Sequence, residues 1–333
     1  MSLRLLLVWV VGILVCGLAF SPEHPKSESP QPSRLLQVCM NRLHRAGLQP
    51  ETEDLALGLL FGRKGQLDKT ITTEVRKAGM SHMLAVSGLH IGIIWGVLML
   101  LFRPLLLLGF FFNWNEVRVH LVMHIAVVVL LWGYIALVGF PASAQRAGLM
   151  ITFTQVSLLL HRNPWGWHNL WLAALVILVL DPTQLTQVGF QLSMLATVGI
   201  LAFRPLITGS HAVLSLFWLT VSAQYFTFPL CAYYFHQVPL LGWVQGILVV
   251  PVLAFLIYGL LALLCFPMLW NGLVEFLSAW VLGVAHYVSS AEHFLVGGEV
   301  YWYPSWTEVF LMELVLVGMY VSAKMYFSQP KES

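Results

Sequence analysis

Charge is what this 333-residue sequence lacks: Asp, Glu, Lys and Arg together supply 10% of it, against about 25% in soluble domains. That excludes a pair of soluble domains, which the length alone would suit. The net charge is +2, so bulk electrostatics select no polyanionic or basic partner. Cysteine is scarce. Cys16, Cys39, Cys231 and Cys265 form no C-x-x-C pair and no Cys/His zinc spacing, and they read as reduced apolar fillers. No G-x-x-x-x-G-K-[ST] loop, H-E-x-x-H helix or HxHxDH cluster is present. Nucleotide hydrolysis and metal-assisted hydrolysis are therefore not expected. The chain reads as a non-enzyme without cofactor or metal.

What is there is apolar: 59% hydrophobic residues, 13 Trp and 20 Phe, with a mean hydropathy of +0.80. The expected fold is all-α, a polytopic membrane protein of about ten transmembrane helices. Residues 3–20 follow the basic Arg4 and suit a first span or a secretory signal; the uncleaved span (1–20) is the favoured reading. Residues 21–33 (SPEHPKSESPQPS) form a Pro/Ser linker. Residues 34–81 are expected to be external amphipathic helices on the membrane or the bundle. In the first, Leu35, Leu36, Val38 and Leu43 alternate with Arg34, Arg42 and Arg45. The helical domain is placed at 82–327, ahead of a short tail (328–333). Its spans are predicted near 84–111, 119–138, 145–160, 167–180, 190–207, 212–235, 244–266, 272–294 and 307–327. With ten spans and Arg4 inside, Arg103, Arg118, Arg162, Arg204, Lys324 and Lys331 fall inside and only Arg146 outside. The positive-inside rule then puts both termini in the cytoplasm.

Four stretches carry polar groups into these runs. In HMLAVSGLHIGII (82–94), Ser87 and His90 share a helix face, and an imidazole within a span faces protein or water. Gly88, Gly92 and Gly96 recur every fourth residue, as in helices whose backbones approach closely. In GFPASAQRAGLM (139–150), Arg146 lies early in a helix, against the dipole. It wants an anion, either Asp181 or a passing phosphate. DPTQLTQVGFQLSML (181–195) carries Gln191 and Ser193. SAQYFTFP (222–229) carries Ser222, Gln224 and Thr227. Each polar side chain needs a partner in hydrocarbon, and together they suggest a shared wet interior. His236-Gln237 and Glu313 are further candidates, for which packing roles are favoured.

Together with AGMSHMLAVSGLHIGII and SAQYFTFPLCAYYFHQVPL, these motifs resemble, in order and spacing, the core of the ComEC family of competence proteins over roughly residues 35–270. The resemblance implies an inner-membrane channel that admits one DNA strand during natural transformation, with roles for Ser87, Gly88, His90, Arg146, Gln191, Ser193 and Gln224. It also implies single-stranded DNA and membrane lipids as partners, an external DNA receptor, a cytoplasmic ATPase, a separate nuclease and self-association. Gly246 stands where the family carries Asn. An OB-like domain and a β-lactamase-like domain, common in relatives, have no counterpart, so a stripped channel module or a truncated, inactive homologue is expected. Independently of the resemblance, DNA is weakly indicated: residues 21–81 hold nine basic and seven acidic side chains, a modest excess. Two other classes compete. One is a transporter of small or lipid-like solutes. The other is an intramembrane serine hydrolase, with Ser87 as nucleophile and His286 or His236 as base.

Overall fold

The computed structural model describes residues 34–63, 75, 86–111, 115–161, 166–236, 242–266, 270–296 and 302–328. The expected first span, the linker, much of 64–85 and the tail beyond 328 lie outside the described residues. Those described are helical, with no strand among them. In chain order the helices are α1 (Arg34–Arg45), α2 (Pro50–Phe61), α3 (Gly88–Phe111), α4 (Glu116–Leu137), α5 (Ala142–Leu159) and α6 (Trp167–Leu180). A 3-10 turn (Pro182–Thr186) follows, then α7 (Val188–Ala202), α8 (Arg204–Thr208), α9 (Ala212–Phe235), α10 (Gly242–Cys265), α11 (Asn271–Val296) and α12 (Trp306–Ser328).

Five helices are long and apolar enough to cross a membrane: Gly88–Leu105, Val117–Leu137, Ala212–Phe235, Gly246–Cys265 and Asn271–Ala291. Ten are not found among the described residues. α6 and α7, with 14 and 15 residues, reach only about 21–23 Å at 1.5 Å per residue, short of a hydrocarbon core about 30 Å thick.

The chain divides into two compact units. The larger comprises Lys26–Ala173 and Pro239–Gly298. There α3, α4 and α5 pack together around Val86, Ile91, Ile94, Leu131, Ile135 and Ala144. A second cluster joins α1, α2, α10 and α11. α2 starts well, with Pro50 in its first turn beside Glu51 and Glu53, residue types that suit a helix N-terminus. It stops at Gly62, whose φ of 68° a glycine adopts freely. Every residue from Leu55 to Phe61 is buried. α2 is therefore not the amphipathic surface helix expected, but one buried on all sides. α1 is amphipathic, yet only Leu36 and Leu43 of its named leucines turn inward; Leu35 and Val38 face out.

Of the described residues, the smaller unit takes 174–236 and 302–328. In it α9 packs along α7 and against α12. At Gly199 the α7 backbone lies directly against the Ser222 carbonyl of α9.

Candidate functional site

The larger unit builds its polar site at the starts of α3 and α5. Ser87 does not lie inside a span. It precedes α3, whose first backbone bond runs from the Ile91 N–H to the Ser87 carbonyl at 3.2 Å. The Ser87 N–H donates to His90 Nδ1 at 3.3 Å, and Ser87 Oγ lies 2.8 Å from the same nitrogen. The bond from the Ser87 N–H is one half of a capping box, with His in the usual Glu/Gln place, and caps contribute about 1 kcal/mol. Because a backbone N–H can only donate, Nδ1 accepts, and the neutral ring carries its proton on Nε2. His90 is 1% exposed.

The residue before the cap is held from two sides. The Ser143 hydroxyl, in the first turn of α5, donates to the Val86 carbonyl at 2.6 Å. Val86 also packs against Gly62, at the end of α2. Nearby, the Tyr134 hydroxyl donates to the Leu60 carbonyl at 2.5 Å. α5 reaches this position through two successive left-handed residues, Gly139 (φ 85°) and Phe140 (φ 54°), after which Pro141 leads into the helix. Gly88 then faces Ala147, 3.7 Å from where a Cβ would lie. Arg146, adjacent to Ala147 in the chain, is 2% exposed, deep in the protein where a cation requires compensation.

The glycine row is only partly a packing face. A Cβ on Gly96 would lie 3.8 Å from the Tyr258 hydroxyl, but one on Gly92 would meet nothing within 4 Å among the described residues. The three glycines point in slightly different directions, since 3.6 residues per turn makes a four-residue repeat drift by about 40°.

Gln191, Ser193 and Gln224 lie in the smaller unit, and Ser87, His90 and Arg146 belong to the larger. Gln191 is fully buried, and both ends of its amide are used. Nε2 donates to the Leu185 carbonyl at 3.0 Å, and Oε1 accepts from the Tyr234 hydroxyl at 3.2 Å. It ties the 3-10 turn to α9. Ser193 and Gln224 are half-buried on α7 and α9. Asp181, one suggested anion for Arg146, is engaged by its own turn: it accepts from the Thr183 N–H and hydroxyl and from the Gln184 amide. His236 ends α9 in a left-handed conformation (φ 55°), while Gln237 lies outside the described residues.

Two contacts between α4 and α5, and the depth of Glu313, are not legible in the sequence. His124 and Gln155 are bonded to each other and buried between α4 and α5. Trp132 donates to Thr152 at 3.0 Å across the same pair. Glu313 is wholly buried on α12; it had been noted as a candidate, but its depth had not. No group of His, Cys, Asp and Glu that could hold a metal occurs among the described residues.

The sequence model of the competence protein family matches residues 59–325, four-fifths of the chain and every helix from the end of α2 to α12. The chain belongs to the ComEC family of competence proteins. This competence protein is similar to ComE operon protein 3 of Bacillus subtilis (strain 168), 26% identical over 211 residues that make up 63% of this chain and 26% of that one. It is also similar to Recombination protein 2 of Haemophilus influenzae (strain ATCC 51907 / DSM 11121 / KW20 / Rd), 26% identical over 234 residues, 66% of this chain and 29% of the other. It thus spans less than a third of the length of these curated relatives. No solved structure matches.

Proposed function

We propose that this competence protein takes part in DNA uptake during natural transformation, as the bacterial inner-membrane module through which a single strand passes. The match to the competence family over residues 59–325 carries this reading. The burial of the His90 imidazole and the Arg146 guanidinium supports it, because ionisable groups enclosed in a membrane protein are candidates for a functional path. In this reading an external DNA receptor, a cytoplasmic ATPase and a separate nuclease act with the chain, which self-associates. α1 packs at the connection of α10 to α11, which alternation of the ten expected spans puts in the cytoplasm, so the outward placement of residues 21–81 is not kept. Gln191 contributes as a brace, through Leu185 and Tyr234, rather than as a lining group.

The protein acts without catalysis in this reading. A Ser–His contact of 2.8 Å satisfies one requirement of a nucleophile–base pair, but the same contact closes the first turn of α3. Failure of a fluorophosphonate probe to label Ser87 separates the two roles. The main test is complementation of a competent strain lacking its own channel. His90→Ala and Arg146→Ala are expected to abolish transformation while the protein still inserts and accumulates. Normal transformation by both variants overturns the reading, and a closed, solute-sized cavity at mid-membrane would favour a transporter instead.

A further inference from the structure

α1 carries three arginines on its outward face. At 100° per residue, Arg34, Arg45, Val38, Arg42 and Leu35 fall within an arc of about 100°, and all five are exposed. Leu36 and Leu43 occupy the opposite side and are buried. The nearby acids point elsewhere or are occupied. Glu53 pairs with His44 at 2.9 Å, and Glu275 accepts from the Gln49 N–H at 3.1 Å.

The height of α1 relative to the membrane follows from what fastens it. Arg42 Nη1 donates to the Leu264 carbonyl at 3.1 Å, and Leu264 is the next-to-last residue of the apolar span Gly246–Cys265. Asn271, the first residue of the span Asn271–Ala291, donates through Nδ2 to the Ala46 carbonyl. α1 is therefore pinned where two consecutive spans end, at the level of the lipid headgroups. Phe266 and Trp270 stand exposed in that same connection, the placement aromatic side chains take at a membrane–water boundary.

We infer that the outward face of α1 is a binding surface for anionic phospholipid headgroups. Arg34, Arg42 and Arg45 meet the phosphates, and Leu35 and Val38 enter the boundary with the acyl chains. The exposed aliphatics favour lipid over a nucleic-acid strand. Leu35 is 62% and Val38 50% exposed between the arginines, which gains nothing against a polyanion in water but suits a helix lying in the interface. This surface stands whether or not a strand passes through the bundle.

The test uses the full chain in nanodiscs of phosphatidylcholine, alone or mixed with phosphatidylglycerol, followed by native mass spectrometry of the lipids it retains. The wild type is expected to retain phosphatidylglycerol preferentially. Arg34→Gln with Arg45→Gln, which leaves the Arg42 anchor in place, weakens that preference about fivefold per arginine. The corresponding lysine pair keeps it, which separates loss of charge from misfolding. A spin label at Val38→Cys, with the four native cysteines replaced, should be more accessible to oxygen than to a water-soluble nickel chelate. Unchanged retention in the glutamine pair, or a label reading bulk water, overturns the inference. So does binding of a short oligonucleotide that needs Arg34 and Arg45 while lipid retention does not.

Discussion

Replacing Gly199 by Ala should loosen the smaller unit more than any other glycine substitution in the motifs. The new methyl would run into the Ser222 carbonyl of α9, with the carbonyl carbon only 2.9 Å away and Phe226 Cδ2 at 3.4 Å. The Ser222 oxygen lies nearer still than its carbon, well inside the roughly 3 Å that a methyl carbon tolerates, so α7 and α9 must part by about 1 Å or more. Backbone cannot rotate out of the way as a side chain can. Overpacking of this kind costs about 1–3 kcal/mol, and the upper end is expected here because the Gln191–Tyr234 bond joins the same two helices. The assay is thermal unfolding of the detergent-purified protein, with Gly92→Ala as the control. Gly92 has open space around it, and its replacement should be neutral or gain up to about 1 kcal/mol of helix propensity. If Gly199→Ala unfolds at the wild-type temperature while Gly92→Ala is destabilised, the account of the α7–α9 contact is wrong.

Ser87→Ala and His90→Ala should each cost about 1 kcal/mol of stability as cap losses. The double variant should cost clearly less than their sum, because they share one set of bonds; a denaturation cycle measures this. Gln191→Leu leaves the Leu185 carbonyl and the Tyr234 hydroxyl without their partner and should cost about 1–3 kcal/mol, read by the same unfolding assay. The hydrogen bonds from Thr183 and Gln184 hold the Asp181 carboxyl below its ordinary value of 3.8. Its stabilising effect is therefore complete above that value and lost as pH falls through the lower, folded one. Asp181→Asn should lower stability slightly in the neutral region, where the effect is complete, leave the acid end unchanged, and so flatten the acid limb of the stability–pH profile.

The helical class was legible because long apolar runs leave the backbone no alternative in lipid. Span number was not, since hydropathy does not register where a helix stops. The run 190–207 reads as continuous, yet α7 ends at Ala202 and Pro205 stands in the first turn of α8, where its missing N–H is tolerated as it would not be inside one unbroken helix. Ser87 and His90 were found, but their relation was mistaken: S-x-x-H at the edge of an apolar run is also the spacing of a cap. The tightest glycine was overlooked for a different reason. Gly88, Gly92 and Gly96 advertise themselves by period, whereas Gly199 stands alone in LATVGIL and depends on a partner 23 residues away. Gln191 stands out in the sequence as an amide within an apolar run, but nothing local announces Tyr234 as its partner. The His124–Gln155 pair is opaque for the same reason, its members lying 31 residues apart on separate helices.

The burial of α2 bears on how the chain is made. Residues 50–61 leave the ribosome early, yet their neighbourhood is secured by Glu275 and Asn271, more than 220 positions later. At about 5–20 residues per second, this greasy dozen waits roughly 10–45 s for its final surroundings. Its burial is therefore complete only once α10 and α11 have been synthesised and have packed around a helix already made.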